Sequence, residues 1–325
     1  MKIRVAVVYG GRSGEHEISL RSADTVMKSL DPERYQVIPY FIDQEGRWTP
    51  KPLLSEPNGN PEIDVVFPVL HGTFGEDGTI QGLFEMAGLP YVGCGVLASS
   101  LAMDKEMAKR VLDGHGVLTV EYVTVFRENL DPKPALEKLT FPMFVKPANL
   151  GSSVGISKVN NVEELRVALS EAAQYDRKVI VERGIIGKEL ETAVLGNDSP
   201  DATIPCQIIP SRDFYDYEDK YLLDKAKIVL PAPIGDEKTA ELRSIAVKAY
   251  KALGCAGMAR VDFLLEESTG KLYVNEINTI PGFTSISMFP KMWENMGLPI
   301  GKLVDRLIEL AMERDRIKRA TKFTK

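Results

Sequence analysis

The segment Arg260–Asn278 has the sequence RVDFLLEESTGKLYVNEIN. Two runs rich in apolar and β-branched residues flank Ser268-Thr-Gly270, which suits a three-residue hairpin loop with glycine in the left-handed position. This turn places Glu267 opposite Lys271 on two antiparallel strands. The pairing assigns apolar residues to both faces, so we expect the hairpin to be largely buried; one face carries Leu264, Leu272 and Val274 and the other Val261, Phe263, Leu265 and Ile277.

Polar residues meet at the open end of this hairpin. The same register brings Asp262 opposite Glu276 and, two residues further, Arg260 opposite Asn278 on the same face. Two carboxylates this close repel each other unless a positive charge lies between them. Carboxylate and amide oxygens are the ligands that suit Mg²⁺. The hairpin therefore predicts a magnesium site, whereas a one-residue slip would leave a surface hairpin with solvated charges.

The composition is that of a globular protein with two or three domains. The chain has 325 residues, 44% of them hydrophobic and 26% charged, and its net charge is −6. This charge argues against a general nucleic-acid or anionic-membrane binder, and no apolar run is long enough for a transmembrane helix. The apolar start is interpreted as a buried strand, not a signal peptide. Scattered cysteines predict buried thiols in a reducing cytoplasm; they are Cys94, Cys206 and Cys255.

The first half of the chain alternates short apolar strands with amphipathic helices. Strands are predicted at 3–9, 35–42 and 63–70, with helices after the first and the third. This βαβ order predicts a parallel sheet. One longer helix is predicted to carry residues 97–112.

The pattern changes after residue 140. Strands at 178–183, 189–195 and 203–209 are predicted to form a second, antiparallel sheet. Residues 211–227 are crowded with charges and tyrosines and follow neither period, which is typical of a functional lid loop. Helices are predicted at 237–253 and from 301 onward.

A glycine-serine loop and two lysines are candidates for phosphate binding. Gly151–Gly155 lacks the GK[ST] ending of a Walker A motif, but the N–H groups of such a loop can fold over phosphates. An ordinary flexible turn explains the loop equally well. Lys146 ends the preceding strand and could neutralise phosphate charge. Lys105 lies on a helix, where a solvated lysine is the commoner outcome.

The turn after the first strand suits a cationic ligand. Gly10–Gly14 lacks the G-x-G-x-x-G spacing of dinucleotide sites and is followed by Glu15, which would repel a pyrophosphate but attract a substrate ammonium. His71 also follows a strand, and open parallel sheets place their sites at the carboxyl ends of strands. We therefore expect Glu15 and His71 to face one crevice, although a lone histidine is more often structural.

With these features the chain resembles the D-alanine–D-alanine ligases of the ATP-grasp superfamily over nearly its whole length. Each matching string is modest alone, and eight in this order are highly specific. The strings are Gly10–Glu15, His71–Thr79, Met103–Lys105, Val145–Pro147, Gly151–Gly155, Lys220–Tyr221, Arg260–Asp262 and Asn275–Ser287.

The resemblance implies an α/β protein with the three-domain ATP-grasp fold. Residues 1–96 would form an N-terminal parallel α/β domain and residues 97–186 a small central domain. Residues 187–325 would form a C-terminal domain with a largely antiparallel sheet and a lid at 211–227. ATP would lie between the last two domains. A homodimer is also implied.

The resemblance further implies the ligands of each site. Mg²⁺, or alternatively Mn²⁺, would be held by Asp262, Glu276 and Asn278. Nucleotide contacts would come from Lys105, Lys146, Ser153, Glu182, Arg183, Ile185 and Glu189, with the hinge at 182–185 around adenine and Glu189 at the ribose. Most relatives have lysine where this chain has Arg183, which matters if the adenine contact is made by the side chain.

For the amino-acid substrates, the resemblance implies that Glu15 binds the ammonium of the first D-alanine, with His71 nearby. Ser152 and Tyr221 would complete a hydrogen-bonded triad with Glu15. The remaining implied contacts are Lys220 at the substrate, Ser287 at the second carboxylate, and Arg260 with the N–H of Gly282 as oxyanion donors.

The implied reaction joins two D-alanine molecules through an acyl phosphate, releasing ADP and phosphate, for peptidoglycan precursors. A D-alanine–D-lactate or D-alanine–D-serine ligase on the same fold is the nearest alternative, and Tyr221 favours the dipeptide-forming type. A non-catalytic nucleotide-binding regulatory protein is a second alternative. It has no need of an oxyanion donor such as Arg260.

Overall fold

The computed structural model describes residues 1–152, 154–210 and 227–322. Within these ranges the strands form three sheets. In chain order the elements are β1 (Ile3–Gly10), α1 (His16–Ser29), β2 (Tyr35–Ile42), β3 (Trp48–Thr49), β4 (Val65–Pro68), α2 (Thr79–Ala87), α3 (Val96–Met103), α4 (Lys105–Gly114), β5 (Tyr122–Phe126), α5 (Lys133–Lys138), β6 (Met143–Pro147), β7 (Ser157–Val159), α6 (Val162–Tyr175), β8 (Lys178–Arg183), β9 (Gly187–Leu195), β10 (Asp201–Ala202), β11 (Cys206–Ile209), β12 (Lys227–Val229), α7 (Asp236–Ala252), β13 (Met258–Glu266), β14 (Leu272–Asn278), α8 (Met288–Asn295) and α9 (Ile300–Arg319).

The first sheet has the order β3-β2-β1-β4. Strand β1 pairs in parallel with both β2 and β4, which confirms the parallel sheet predicted from the βαβ pattern. Residues 5–8 of β1 are completely buried, as expected for a strand covered on both faces. The turns that follow β1 and β4 therefore lie at the same edge of the sheet.

The prediction of a single second sheet was wrong. Strand β8 pairs with β5 and β6 in a four-stranded antiparallel sheet of order β5-β8-β6-β7. Strands β9 and β11 belong instead to a sheet of order β12-β11-β9-β13-β14, with β10 on β9. Only three residues separate β8 from β9. Nothing in the local pattern of either strand indicates that the chain changes sheets there, because partner choice depends on distant strands.

The single helix predicted over 97–112 is two helices, α3 and α4. The break is at Asp104, whose side chain accepts a hydrogen bond from the Met107 N–H (3.1 Å) and caps α4. Lys178 of β8 fixes this carboxylate, with its Nζ 2.6 Å from Asp104 Oδ2. The cap turns the chain so that Lys105 begins a new helix beside the central sheet.

The hairpin register was right at its open end and wrong at its turn. Asp262 pairs with Glu276 as predicted, and Arg260 pairs with Asn278. A bulge after Asp262 then shifts the pairing by one residue, so Lys271 faces Glu266 instead of Glu267. The predicted faces near the turn were consequently wrong as well: the pairing of Phe263 with Val274, and of Leu265 with Leu272, puts all four on one face.

One apolar core joins the first sheet to the C-terminal sheet. The Phe67 ring of β4 meets the Phe283 ring edge-on at 5.9 Å, and Phe283 meets Phe289 of α8 at 5.7 Å. All three rings are almost completely buried. The segment that follows β14 is thereby anchored to both sheets. The three cysteines are buried and free, as predicted. Among the described residues no helix has both the length and the apolar character needed to cross a membrane.

We predict that Phe67→Ala lowers the free energy of unfolding by about 3–5 kcal/mol, because it leaves a cavity between the two sheets. Phe126→Ala is the matched control, since the Phe126 side chain is 45% exposed, and it should change stability by no more than about 0.5 kcal/mol. Urea unfolding of both variants measures the difference. Equal losses would show that the ring contact between β4 and the Phe283 segment does not stabilise the fold.

Candidate functional site

Two adjoining cavities lie at the junction of the three sheets. The first, of about 780 Å³, lies beside the carboxyl end of the parallel sheet. The second, of about 340 Å³, lies between the central and C-terminal sheets. Four residues line both of them: Gly151, Ser152, Glu191 and Glu276.

The first cavity contains the predicted Glu15–Ser152 contact. Glu15 precedes α1 and is half-buried, and the Ser152 hydroxyl donates a short hydrogen bond to Glu15 Oε1. Gly72 has a φ of +71°, and a Cβ there would lie 2.6 Å from Glu15 Oε2, so the close approach of the backbone requires glycine. Ser152 has a φ of +54°, unusual for a residue with a side chain. The other predicted member of the triad, Tyr221, lies outside the described residues, as do Lys220 and Ser153.

His71 lines the same cavity but has both ring nitrogens bonded within the protein. Nδ1 lies 3.0 Å from the Ile280 carbonyl oxygen and Nε2 lies 3.1 Å from Ser22 Oγ. Burial lowers the pKa of His71, so the neutral ring donates from Nδ1 and accepts at Nε2. Ser22 Oγ in turn accepts from the Phe283 N–H (3.2 Å). His71 and Ser22 therefore tie α1 to the segment that follows β14.

Arg260 lies at the boundary between the cavities. Its guanidinium donates to both oxygens of Asp262, each at 2.7 Å, and its Nε lies 3.3 Å from Glu191 Oε2. Glu191 of β9 pairs directly with Asp262 of β13, which pairs on its other side with Glu276. Three acidic residues thus follow one another across adjacent strands on one face. Arg260 is a cation that stabilises this arrangement.

Gly282 and Ser287 are brought together beyond the hairpin. A Cβ on Gly282 would lie 2.7 Å from Ser287 Oγ, so a side chain here would displace that hydroxyl. Ser287 precedes α8, and its Oγ accepts from the Thr284 N–H at 3.0 Å. The start of a helix presents unpaired N–H groups and a partial positive charge. This end of the first cavity is suited to a carboxylate.

The second cavity contains both predicted phosphate lysines. Lys105 is buried, and its Nζ donates to the Leu150 carbonyl oxygen at 2.7 Å, so it is not a solvated helix lysine. Lys146 Nζ lies 2.6 Å from Glu182 Oε2 and 3.4 Å from Asn275 Oδ1. Both lysines line the same cavity as Gly151 and Ser152, which supports the interpretation of the glycine-serine loop as a phosphate loop.

The hinge residues line the opposite wall. Arg183 turns its side chain away, donating from Nη1 to Glu266 Oε1 at 2.7 Å. Its guanidinium also lies over the Tyr273 ring at 5.8 Å. The Arg183 side chain is therefore engaged with Glu266 and Tyr273, which are not among the residues that line this cavity. Ile185 and Glu189 are half-buried and line the same cavity.

The side chains at the open end of the hairpin include the oxygen-bearing types that Mg²⁺ prefers as ligands. Asp262 and Glu276 supply two carboxylates and Asn278 an amide, and its Nδ2 lies 3.3 Å from Asp262 Oδ2. In the part of the chain that the structure describes, no group of three His, Cys, Asp or Glu residues is placed to hold a metal. Mg²⁺ needs only one or two carboxylates, because water and phosphate oxygens supply its other ligands.

Comparisons with known proteins agree with this geometry. The sequence profile of the D-ala D-ala ligase N-terminus matches residues 4–60 and 51–94, and that of the D-ala D-ala ligase C-terminus matches residues 111–309. The D-alanine–D-alanine ligase of Solibacter usitatus is 61% identical over 325 residues, which is the full length of both chains. That of Thermoanaerobacter sp. is 47% identical, covering 96% of this chain and 97% of its own. The chain belongs to the D-alanine–D-alanine ligase family.

Solved structures of ligases share the fold. The VanG D-Ala:D-Ser ligase of Enterococcus faecalis has a TM-score of 0.89 at 38% identity, covering 96% of this chain and 100% of that chain. The D-alanine–D-alanine ligase of Coxiella burnetii has a TM-score of 0.87 at 37% identity, covering 98% and 96%. This member of the D-alanine–D-alanine ligase family is thus an enzyme with the ATP-grasp fold, and it uses ATP and small-molecule substrates.

Sequence reasoning missed three charged residues of this ligase site. Glu191 had a detectable signal, since it follows Glu189 at the period of a strand face. Lys109 lies one helical turn after Lys105. Glu76 lies within the string 71–79, and its carboxylate accepts from the N–H groups of Gly72 (2.8 Å) and Ile280 (3.2 Å).

Burial, together with repulsion from Glu15, raises the pKa of Glu76 to about 8. Between the ordinary value of 4.5 and about 8, the folded protein keeps a proton that the unfolded chain has lost. The free energy of unfolding must therefore fall as the pH rises through this window. At neutral pH the buried Glu76 carboxyl therefore destabilises the ligand-free protein. A cation bound nearby would reduce this free-energy cost by favouring the ionised carboxylate.

We predict that Glu76→Gln removes this pH dependence, because the amide mimics the protonated acid and does not titrate. The stability of the variant relative to the natural protein should rise with pH, by at most about 1.4 kcal/mol per pH unit. Melting temperatures between about pH 5.5 and 7.5 test this. Glu128→Gln is the control, because the pKa of Glu128 is lowered by its backbone and Arg177 contacts. Parallel curves for both variants would contradict the assignment.

Proposed function

We propose that the protein joins two D-alanine molecules into D-alanyl-D-alanine with ATP and Mg²⁺, through an acyl phosphate that releases ADP and phosphate, for peptidoglycan precursors. The observation that carries this proposal is the meeting of the two cavities at Ser152 and Glu276. One cavity contains lysines suited to phosphates, and the other contains Glu15 and Arg260, suited to an amino acid. A carboxylate bound in the first cavity would lie next to a phosphate bound in the second.

The nucleotide roles follow from the second cavity. Lys105 and Lys146, with the loop that contains Ser153, would bind phosphates, because both lysines line the same cavity as Gly151 and Ser152. The hinge around Glu182, Arg183 and Ile185 would hold adenine, and Glu189 the ribose. Asp262, Glu276 and Asn278 would hold Mg²⁺, or Mn²⁺, which when bound neutralises charge on phosphoryl oxygens.

The amino-acid roles follow from the first cavity. Glu15 would bind the ammonium of the first D-alanine, and its hydrogen bond with Ser152 supports a triad with Tyr221. His71 would shape this subsite from behind, since its nitrogens bond to Ile280 and Ser22. The helix start at Ser287 would receive the second carboxylate, with Lys220 also assigned to the substrate.

The second chemical step places negative charge on the acyl oxygen as the amine attacks. Arg260 and the Gly282 N–H would stabilise that oxyanion. Arg260 is suited to this because Asp262 and Glu191 already fix its guanidinium, so little reorganisation is needed during the reaction. The lid predicted at 211–227, of which residues 211–226 lie outside the described residues, would have the role of excluding water from the acyl phosphate.

A D-alanine–D-serine or D-alanine–D-lactate ligase is the second candidate. The structural similarity to the Enterococcus faecalis D-Ala:D-Ser ligase is the observation that supports this second candidate. The fold is common to both kinds of enzyme, so the second substrate is decided by contacts near the second carboxylate, where Lys220 and Ser287 are assigned. The full-length 61% identity to a D-alanine–D-alanine ligase supports the dipeptide-forming reaction.

We also propose the three domains 1–96, 97–186 and 187–325, a homodimer and a cytoplasmic location. The strands of each sheet fall within one of these ranges, which supports the division. The buried free cysteines support a reducing compartment. Sedimentation of the purified protein tests the dimer, and a monomer at micromolar concentration would contradict it.

The function is tested by measuring ADP release with ATP and Mg²⁺ while products are resolved by mass. Separate reactions contain D-alanine, L-alanine, and D-alanine with excess D-serine or D-lactate. D-alanyl-D-alanine from the D-isomer alone supports the proposal. A mixed product as the main species would move the protein to the second candidate. Nucleotide binding without turnover would support a regulatory protein.

We predict that Arg260→Met lowers kcat by about 10²–10³-fold, the cost of losing one oxyanion donor. Arg243→Met is the control, because Arg243 of α7 donates to the Ala202 carbonyl oxygen (2.7 Å) and is not among the residues that line the two cavities. Steady-state ADP release measures both. A loss confined to the KM for D-alanine would show that Arg260 binds the substrate without stabilising the transition state.

A further inference from the structure

Lys109 is a buried lysine to which the proposed reaction gives no role. Its side chain is 2% exposed, and its Nζ lies 2.9 Å from Glu182 Oε1. The same nitrogen donates to the Val120 carbonyl oxygen at 3.2 Å and lies 5.5 Å from the centre of the Tyr122 ring. A fully buried ammonium is costly unless it is paired. These contacts fix the Lys109 ammonium at one oxygen of Glu182.

Lys109 and Lys105 lie one turn apart on the same face of α4. Lys105 reaches the glycine-serine loop through the Leu150 carbonyl oxygen, and Lys109 reaches the hinge through Glu182. Helix α4 therefore supplies one lysine to each end of the nucleotide cavity. Because a helix is rigid, the positions of the two ammonium groups are coupled.

Glu182 is held by a lysine on each oxygen. Lys109 contacts Oε1, and Lys146 lies 2.6 Å from Oε2. Burial by itself would raise the pKa of Glu182, but the attraction of the two lysines outweighs burial and lowers the pKa to about 2. The carboxylate is therefore ionised and confined to one plane. In that state it can accept hydrogen bonds but cannot donate them.

We propose that Lys109 is a positioning residue that fixes the Glu182 carboxylate as an acceptor for the 6-amino group of adenine. It thereby sets the selectivity of the site for ATP over nucleotides that carry a carbonyl at that position. A carbonyl oxygen facing an ionised carboxylate is rejected, because two acceptors repel and neither is satisfied. This inference rests on the proposed function, since ATP must lie in the cavity that Glu182 lines.

Lys146 does not replace Lys109 in this role. Lys146 contacts the other oxygen of Glu182, and it also lies beside Asn275, next to the hairpin and the phosphate end. Without Lys109, Glu182 has Lys146 as its remaining lysine partner and is drawn toward it, away from the base. Lys109 acts only through Glu182 and does not touch the nucleotide.

The test compares ATP with inosine triphosphate, which has a carbonyl in place of the 6-amino group. Values of kcat and KM for both nucleotides are measured with saturating D-alanine for the natural protein, Lys109→Met, Glu182→Gln and the double variant. Lys109→Met should narrow the ATP preference in kcat/KM by about tenfold, the size of one charge-assisted hydrogen bond. The change should come mainly from the KM for ATP. In the Glu182→Gln background Lys109→Met should add nothing to the change in preference.

Lys138→Met is the matched control. Lys138 is exposed, donates to the Tyr122 carbonyl oxygen at 3.0 Å, and lies 5.8 Å from the centre of the same Tyr122 ring as Lys109. Like Lys109, it bonds a backbone carbonyl oxygen and lies near the Tyr122 ring, but it is not the lysine that pairs with Glu182. Its replacement should leave the ATP preference at the natural value.

An unchanged ATP preference in Lys109→Met, with a lower melting temperature, overturns the inference and leaves Lys109 a stabilising residue only. The inference is also overturned if the effects of Lys109→Met and Glu182→Gln on the ATP preference multiply in the double variant. Should Lys109→Met not fold, Lys109→Gln takes its place, because an amide can keep the hydrogen bond to the Val120 carbonyl oxygen without the charge; a narrowed ATP preference in that variant supports the inference, and an unchanged one overturns it. Absence of dipeptide from the natural protein is a failure of the proposed function instead.

Discussion

The row of carboxylates across β9, β13 and β14 is the constraint on which the rest of the site depends. Glu191, Asp262 and Glu276 follow one another on neighbouring strands, where like charges repel. Their proximity is tolerable only if cations lie against them, and Arg260 provides one by bonding both oxygens of Asp262. Such an arrangement is weak as a source of stability, because desolvation offsets most of the attraction. It is well suited to binding a metal ion, because the positive charge of the ion offsets the repulsion among the carboxylates. The same ion can also attract phosphate oxygens.

The surrounding fold brings further charged side chains to the two cavities beside this row, from separate parts of the chain. Lys146 comes from the central sheet, and Lys105 from the start of α4, where the Asp104 cap turns the helix. The first sheet contributes Glu15 at the turn after β1. No single element contains the site, and the shared core around Phe283 holds two of the three sheets together. The cavities consequently adjoin at residues from the loop after β6, from β9 and from β14.

Glycines and a histidine show how closely the backbone is fitted at this junction. Gly72 allows Glu15 to approach the turn after β4, and Gly282 allows Ser287 to fold back over the segment that follows the hairpin. His71 and Ser22 hold that segment in place, because Ser22 bonds both His71 and the Phe283 N–H. His71 and Ser22 are buried, while Glu15, His71, Gly282 and Ser287 line the first cavity. A site with this rigidity can keep oxyanion donors in place before substrate arrives.

The sequence by itself determined the local elements, the open end of the hairpin and the family. Strand and helix periods depend on neighbouring residues, so β2 and β8 were predicted to the residue. The pairing of Asp262 with Glu276 was predicted through a turn register that proved one residue out, and the bulge at Asn275 compensated for that error. The tertiary structure decided which sheet β8 joins, where the helix breaks at Asp104, and that Lys109 reaches Glu182. These outcomes depend on contacts between residues far apart in the chain, and a local pattern of hydrophobicity and charge carries no information about them.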